Sequence, residues 1–491
     1  MASYQVVNQL IKNLSKAEKK QFQITARKEN RVDCWYWIYC HVLKNPADYE
    51  KLKKDYEKLF PSGSLSSSMN HLYNNLLEVL IQLSNEDDTE NKVLMIIQEV
   101  KILFSKGIYE ECFNQIKKAK SLCRKHELHA LLYVLYRQEL MLRMSTRYHH
   151  FNEIDLLALQ TDITRILNYL QTQSRHQLQY DLLKRRRSGI HQESGLALNQ
   201  KLDDLALHEQ LIFTNQQYNT AEAEKLHLMF QSEYFLAKGN FDVSLRIFSN
   251  LHELFEQNKH LLGDPPLHFI SHIGGILQNL YQMNALEQME VYLSSLDEMD
   301  DQKPGFLNMA GCISLHYKIL QNLRSGKQSE ALKLAIKAEL LLQQPFHPYS
   351  RESSILLTVS AASAFFITKQ FSRSGKLLRK LDSQDFSLSL LPVFYTAKII
   401  SILTHFEKTD YDVMEAEIRS FLRWVKKYQK HDEIEKKLMK WMTLFPGLNR
   451  GQKKLHLESI LVLIEDVSPD ETIVQSLQLF NWPKWLSENI H

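Results

Sequence analysis

A seven-residue turn recurs along this chain of 491 residues, and it constrains the fold more than any other feature of the sequence. Its first position favours glycine, its third an aromatic residue and its sixth a small residue. The six copies span residues 107–113, 239–245, 284–290, 326–332, 369–375 and 409–415. From residue 239 onward the copies start 45, 42, 43 and 40 residues apart, and the interval from 107 to 239 is 132 residues, or three units of 44. This period predicts an array of similar units.

Each preference within the turn has a mechanical cause. Glycine after a helix adopts the left-handed conformation that releases the chain from helical hydrogen bonding. The aromatic residue opens the next helix by packing back on its predecessor. A small sixth residue, such as Ser244 or Ala331, lets two helices approach closely.

The segments between the turns have helical periodicity. Ile96, Val100 and Leu103 repeat at intervals of four and three, and no two-residue alternation is sustained anywhere. The chain has 14 glycines, whereas the usual frequency would give roughly 34. Ser15 and Glu18 match a capping box, which predicts a helix beginning at Lys16. The sequence therefore predicts an all-α fold.

Residues 1–88 are predicted to form a separate N-terminal unit, a small helical cap. Its short helices are expected near residues 3–13, 16–29, 33–44, 48–59 and 66–83. Helical repeats are predicted for 89–430 and capping helices for 431–491, where Trp482 and Trp485 would cover the last core surface.

The turn pattern resembles that of tetratricopeptide repeats, whose helix pairs are joined by a glycine, a loose residue and an aromatic before a small residue. The resemblance covers residues 90–430 and implies a right-handed α-solenoid of antiparallel helix pairs. A period of about 43 exceeds the usual 34 and implies longer helices. Segments 10–22, 65–77 and 480–486 are similar to an uncharacterised helical-repeat family of Bacteroidetes-type bacteria, a resemblance that implies no activity.

Several features predict a cytoplasmic protein without a membrane segment. The five cysteines form no CxxC pair, and their odd number is not typical of a disulfide framework. Residues 1–12 lack the basic and apolar regions of a secretory signal. Residues 353–368 are uncharged, but a helix of this length spans about 24 Å, less than the ~30 Å of a hydrocarbon core. This segment is therefore predicted to be a buried helix.

The densest basic cluster is Lys184, Arg185, Arg186 and Arg187. Its positive charge could bind a phosphate group on nucleic acid, lipid or a phosphorylated partner, which makes these residues weak candidates for an anion site. The alternative is a solvated helix end, where cations complement the helix dipole. The whole chain has 60 basic and 57 acidic residues, a balance that favours this alternative.

No catalytic, cofactor or metal site is predicted. His268 and His272 have the spacing of a helical zinc pair, but Phe269 stands where an HExxH site requires glutamate and no third ligand is near in sequence. The lysines after Gly326 and Gly375 lack the rest of a phosphate-binding loop.

The composition and repeats favour a non-enzymatic scaffold that binds a protein or peptide along the concave face of the array. The alternative is a regulator that contacts DNA or RNA through the N-terminal unit, where Trp35, Tyr36, Trp37 and Tyr39 lie near basic residues. Packing between the N-terminal cap and the first repeat is the other interpretation of these rings. An enzyme hidden in the groove and a ligand-sensing regulator are further alternatives.

Overall fold

The structure is a computed structural model. It describes residues 3–28, 34–44, 49–84, 89–149, 151–188, 195–215, 220–259, 267–299, 304–343, 351–382, 392–428 and 433–447, and from there residues 451–452, 455, 458–460, 462, 480 and 485. Most of these residues are helical and none lies in a strand. The predicted all-α class is confirmed for this part of the chain.

The chain divides into two compact units, one of Met1–Gln171 with Asp301–Pro304 and one of Thr172–Asp300 with Gly305–His491. The helices up to the first division are α1 Tyr4–Asn13, α2 Lys16–Lys28, α3 Cys34–Lys44, α4 Tyr49–Leu59, α5 Leu65–Ser84, α6 Thr89–Ser105, α7 Tyr109–Lys125, α8 His129–Ser145 and α9 Glu153–Ser188, of which α9 continues into the second unit. The later helices are α10 Gly195–Asn215, α11 Ala221–Ala237, α12 Phe241–Gln257, α13 Leu267–Gln282, α14 Met289–Asp297, α15 Pro304–Arg324, α16 Gln328–Leu341, α17 Arg351–Ile367, α18 Phe371–Asp382, α19 Pro392–Glu407, α20 Tyr411–Tyr428 and α21 Glu433–Leu444. Short 3-10 helices lie at Leu286–Gln288 and Phe445–Gly447.

The five N-terminal helices agree with the predicted ranges to within one residue at each end. The capping box at the start of α2 is formed: Glu18 donates its backbone N–H to Ser15 Oγ at 3.2 Å, and Ser15 donates its N–H to Glu18 Oε2 at 2.6 Å. A core cluster that runs from Val7 to Val79 packs these helices together. The domain boundaries at 88 and 430 stay predictions.

The six recurrent turns share one backbone geometry. Their first residues all have positive φ, at 72° in Gly107, 74° in Gly239, 58° in Asn284, 73° in Gly326, 60° in Lys369 and 60° in Thr409. In each turn the next residue donates its N–H to the carbonyl five positions earlier, as Ile108 does to Leu103 at 3.0 Å and Gln370 to Phe365 at 2.7 Å. This pattern is the Schellman motif that ends a helix.

The predicted roles of the third and sixth turn residues are seen in part, since Gln328 is not aromatic and Met289 and Met414 are not small. The third residue opens the next helical segment in all six copies, and its ring contacts an aromatic five residues earlier in the pairs Phe104–Tyr109, Phe366–Phe371 and Phe406–Tyr411. The sixth residues, Cys112, Ser244, Met289, Ala331, Ser374 and Met414, are all fully buried. Ser244 Oγ donates to the Ser232 carbonyl at 2.9 Å, and Ser374 Oγ donates to the Ala362 carbonyl at 3.0 Å. The same local contact therefore joins successive helices in different repeats.

Many helices that follow one another in sequence pack against each other. These pairs include α6 with α7, α7 with α8, α11 with α12, α12 with α13, α16 with α17, α17 with α18 and α19 with α20. Such pairing is compatible with a helical-repeat fold.

The uncharged segment predicted to be a buried helix forms most of α17, and its residues from Ser353 to Phe366 are buried apart from Leu356. The hydroxyl groups in the core donate to carbonyls one turn earlier: Thr358 Oγ1 to Ser354 at 2.7 Å and Ser363 Oγ to Val359 at 2.8 Å. These bonds give both buried hydroxyl groups a hydrogen-bond acceptor within their own helix. None of the described helices has both the length and the apolarity to cross a membrane.

The described residues near the C-terminus pack on the last core cluster. Phe480 is buried, and the Trp485 ring lies 5.7 Å from Phe366 and 6.1 Å from Phe406 between centroids. Trp485 thus covers part of this core, as predicted, whereas Trp482 lies outside the described residues. All five cysteines are described, and each is a free thiol.

Candidate functional site

Two neighbouring helices of the first unit expose apolar side chains in stripes. α6 exposes Leu94, Met95 and Ile102, and α8 exposes Val134, Met141 and Met144. We call these six residues the α6–α8 face.

Helical spacing explains the stripes. Met95 and Ile102 are seven residues apart, as are Val134 and Met141, so each pair lies on one side of its helix. The opposite sides are buried in a core cluster that includes Val93 and Leu135. α6 packs against α8, and Gln138 Nε2 donates to the Ile97 carbonyl at 3.3 Å.

Polar residues are interspersed with this face. Gln98 and Glu99 are exposed on α6 and Arg137 is exposed on α8. Met141 and Met144 are more than half exposed, at 55% and 60%. Exposed apolar side chains with polar neighbours are typical of protein interaction surfaces, and methionine adapts to partners of varied shape.

The basic cluster occupies the last two turns of α9, and two of its cations have partners within the protein. Lys184 Nζ lies 2.6 Å from Glu233 Oε1, and Arg186 donates to the Lys201 carbonyl. Arg185 is exposed, and the side chain of Arg187 lies outside the described residues. The position at a helix end agrees with the dipole interpretation, and anion binding stays an untested prediction.

His268 and His272 lie in α13, as their spacing predicts, and both line a narrow crevice with Tyr180 and Glu233. The partner of His272 is on another helix: its Nε2 atom lies 3.3 Å from Nδ1 of His252 in α12. Burial lowers the pKa of His272 to about 3 and that of His268 to about 4, so both imidazoles are neutral at pH 7.

A second group of titratable side chains, missed from the sequence, is buried between α9, α10 and α11. We call His176, Glu209, His227 and Gln231 the His–Glu cluster. The Nδ1 atoms of both histidines face the same oxygen of Glu209, Oε1, at 3.0 Å from His176 and 2.6 Å from His227. Gln231 Nε2 donates to the other oxygen, Oε2, at 2.9 Å.

The carboxylate of Glu209 is stabilised in its charged form. Burial opposes ionisation, but the hydrogen bonds from His176 and His227 outweigh it, and the pKa of Glu209 is below its ordinary value. The side chains of Glu209 and His176 have no exposed surface. The Phe213 ring stacks on His227 at a centroid distance of 3.8 Å. The arrangement is a closed, oriented set of nitrogen and oxygen atoms that could hold a metal ion.

The first unit has its own polar network, partly exposed at Arg124 and Asp162, which joins α7, α8 and α9. The Tyr136 hydroxyl donates to Asp162 Oδ2 at 2.6 Å and accepts a hydrogen bond from Arg124 at 2.7 Å. Burial, followed by the hydrogen bond to Asp162, raises the pKa of Tyr136 to about 12. Lys120 forms an ion pair with Glu139 and lies over the Tyr136 ring. Burial lowers the pKa of Lys120, although the ion pair with Glu139 opposes this shift. The ion pairs and hydrogen bonds of the network link the three helices.

The N-terminal aromatic residues pack into the core of their own segment. Trp35 and Tyr39 are buried, and both rings contact Phe22. Trp37 contacts Tyr56 and Phe60. These described contacts lie within the N-terminal segment, so they support packing of the rings but not the predicted packing against the first repeat.

No protein-family model matches the sequence, and no curated protein matches it.

Proposed function

We propose that the protein is a non-enzymatic scaffold that binds a protein or peptide partner on the inner face of a helical-repeat array. The proposed architecture is a right-handed α-solenoid of antiparallel helix pairs with a period of about 43 residues. The support for it is the common geometry of the six turns and the burial of every sixth turn residue. Stacked helix pairs create a long surface for a partner without a catalytic pocket.

The observation that carries the proposal is the α6–α8 face. In the proposed array, α6 and α8 are the first helices of consecutive pairs, which line the concave side. The two apolar stripes suit an amphipathic partner helix whose apolar contact residues are three, four and seven positions apart. Burying the exposed area of Ile102 and Met141 would supply the apolar contribution to affinity.

Charge substitutions in the face test the proposal. The chain and an Ile102→Glu/Met141→Glu variant would each be used to capture partners from cells of the source organism. The matched control is Val291→Glu/Leu340→Glu, which changes two similarly exposed apolar residues in the second unit. Circular dichroism and the thermal midpoint would verify that all three proteins are folded.

The expected result is a partner retained by the unchanged chain and the control but lost from the face variant. A partner retained equally by all three proteins contradicts the proposed face, and capture of no partner by any of them contradicts the scaffold function.

We also propose a cytoplasmic location, which the five free thiols support. Nucleic-acid contact through the N-terminal unit stays the alternative prediction, although the buried rings of Trp35 and Tyr39 do not favour base stacking. Titration with single- and double-stranded DNA and RNA at decreasing salt tests this alternative, because phosphate contacts strengthen as salt falls.

A further inference from the structure

Three potential metal ligands from three helices converge in the His–Glu cluster. We propose that His176, Glu209 and His227 bind one divalent transition-metal ion of the zinc class, which fastens α9, α10 and α11 together. This inference is independent of the proposed scaffold function, because none of the three residues belongs to the α6–α8 face.

The geometry requires little rearrangement. One ligand atom from each of the three residues lies within 4.8 Å of the other two. Zinc bonds of about 2.0–2.2 Å at tetrahedral angles place neighbouring ligand atoms about 3.3 Å apart. The two nitrogen-to-oxygen distances of 3.0 and 2.6 Å would therefore widen by less than about 1 Å. The two histidine nitrogen atoms, which lie within 4.8 Å of each other, would have to approach by at most about 1.5 Å. Side-chain rotations would provide both changes.

The donor set selects the class of metal. Two imidazoles and one carboxylate suit zinc and its transition-metal neighbours, whereas calcium and magnesium prefer oxygen ligands only. Three protein ligands leave a fourth position of the tetrahedron for a water molecule.

The surroundings are those of a site that holds its ligands in place. Gln231 lies one helical turn after His227 and fixes the second oxygen of Glu209 at 2.9 Å. Such outer partners orient the ligands of metal sites. Phe213 lies one turn after Glu209, and its ring stacks on His227. Because Glu209 and His176 are fully buried, the ion has a structural role with little access for a substrate.

Without an ion, the same atoms form a hydrogen-bond network in which both Nδ1–H groups donate to Glu209. This arrangement is the competing explanation. It needs no metal, so metal binding by purified protein distinguishes the two.

The test uses the full chain, stripped with a chelator and then titrated with Zn²⁺ by calorimetry. We expect saturable binding of one ion per chain and a higher thermal midpoint in its presence. Glu209→Gln keeps the shape of the side chain but removes the anionic ligand, and it should weaken binding more than about 100-fold. Gln231→Leu removes only the outer partner and should weaken binding about 10- to 100-fold.

The matched control is His252→Gln, which breaks the contact with His272 but leaves the His–Glu cluster intact. It should bind Zn²⁺ like the unchanged chain. Co²⁺ in the unchanged chain should give the intense visible absorption of a tetrahedral site, a measurement that needs no variant. If Glu209→Gln does not fold, His227→Gln tests the same site from its partly exposed edge.

Absence of saturable Zn²⁺ binding by the unchanged chain would overturn the proposal, as would weak binding of several ions. Equal affinity in Glu209→Gln and the unchanged chain would also overturn it. Any of these three results would mean that the His–Glu cluster is a hydrogen-bond network without a metal ion.

Discussion

Replacing Gly275 with alanine should force α12 away from α13, because the site has no room for a methyl group. A Cβ atom at this position would lie 2.3 Å from Cζ, 2.7 Å from Cε1 and 2.9 Å from Cε2 of Phe248. Ordinary contacts to a Cβ atom begin near 3.4 Å, so the ring must move by about 1 Å. Phe248 is buried, and its neighbours oppose this movement.

The adjacent glycine provides a matched control of opposite sign. A Cβ atom at Gly274 would make ordinary contacts of 3.6 and 3.8 Å with Ile313. Gly274→Ala should therefore raise the free energy of unfolding by about 0.5–1 kcal/mol, the usual gain of alanine over glycine within a helix. For Gly275→Ala the same gain opposes an overpacking cost of about 1–3 kcal/mol, which leaves a net loss of up to roughly 2.5 kcal/mol.

Urea denaturation followed by circular dichroism measures both changes, and hydrogen exchange of peptides from α12 and α13 locates them. We expect the denaturation midpoint to fall for Gly275→Ala and to rise for Gly274→Ala, with faster exchange in α12 and α13 for the first variant only. Stabilisation by both variants, or unchanged exchange in Gly275→Ala, refutes the packing argument.

Three further perturbations test other parts of the account. Ala331→Leu should overpack the fully buried sixth turn position and lower the free energy of unfolding by ~1–3 kcal/mol. Hydrogen exchange should rise mainly between residues 300 and 385. The control Lys333→Leu, at an exposed position, should leave exchange in this range unchanged. A neutral result, or protection lost from end to end, would show that the repeat register is wrong. Thr409→Gly should raise the urea midpoint by an amount equivalent to about 1 kcal/mol, because a β-branched residue at a φ of 60° is strained; a lower midpoint argues against this strain. The pKa of His272 in the folded protein, about 3, is below the ordinary value of about 6.5. The contribution of this histidine to the free energy of unfolding is therefore complete above pH ~6.5. It declines by about 1.4 kcal/mol per pH unit as the pH falls from there toward 3. The stability of His272→Phe should therefore decline less steeply with acid than that of the unchanged chain, and equal slopes in urea melts across this range contradict the assignment.

The sequence predicts the local structure well because that structure depends on residues within about one helical turn of each other. The capping box of Ser15 and Glu18 was predicted from such spacing. The left-handed conformation predicted for the turn glycines is also found at Lys369 and Thr409, which occupy the same position of the turn. The similar turn at Glu127, between α7 and α8, was missed because it has no glycine and does not follow the period.

The side-chain clusters could not be predicted in this way. His176 is 33 residues from Glu209, and His227 is 18 residues beyond Glu209, so no local motif connects them. His252 and His272 are 20 residues apart and meet because α12 packs on α13. Their contacts depend on how the helices stack, which single helical periods do not specify. The exposed stripes of α6 and α8 were not identified from the sequence, since only the packing of these two helices shows which apolar residues stay outside the core.

Site-specific photo-crosslinking in cells tests the proposed partner surface most directly. A photoreactive amino acid would replace Ile102, Met141 or, as the control in the second unit, Val291; all three side chains are exposed. One partner should be crosslinked from positions 102 and 141 and not from 291. Crosslinking from 291 alone, or equally from all three positions, would contradict the claim that the α6–α8 face binds the partner.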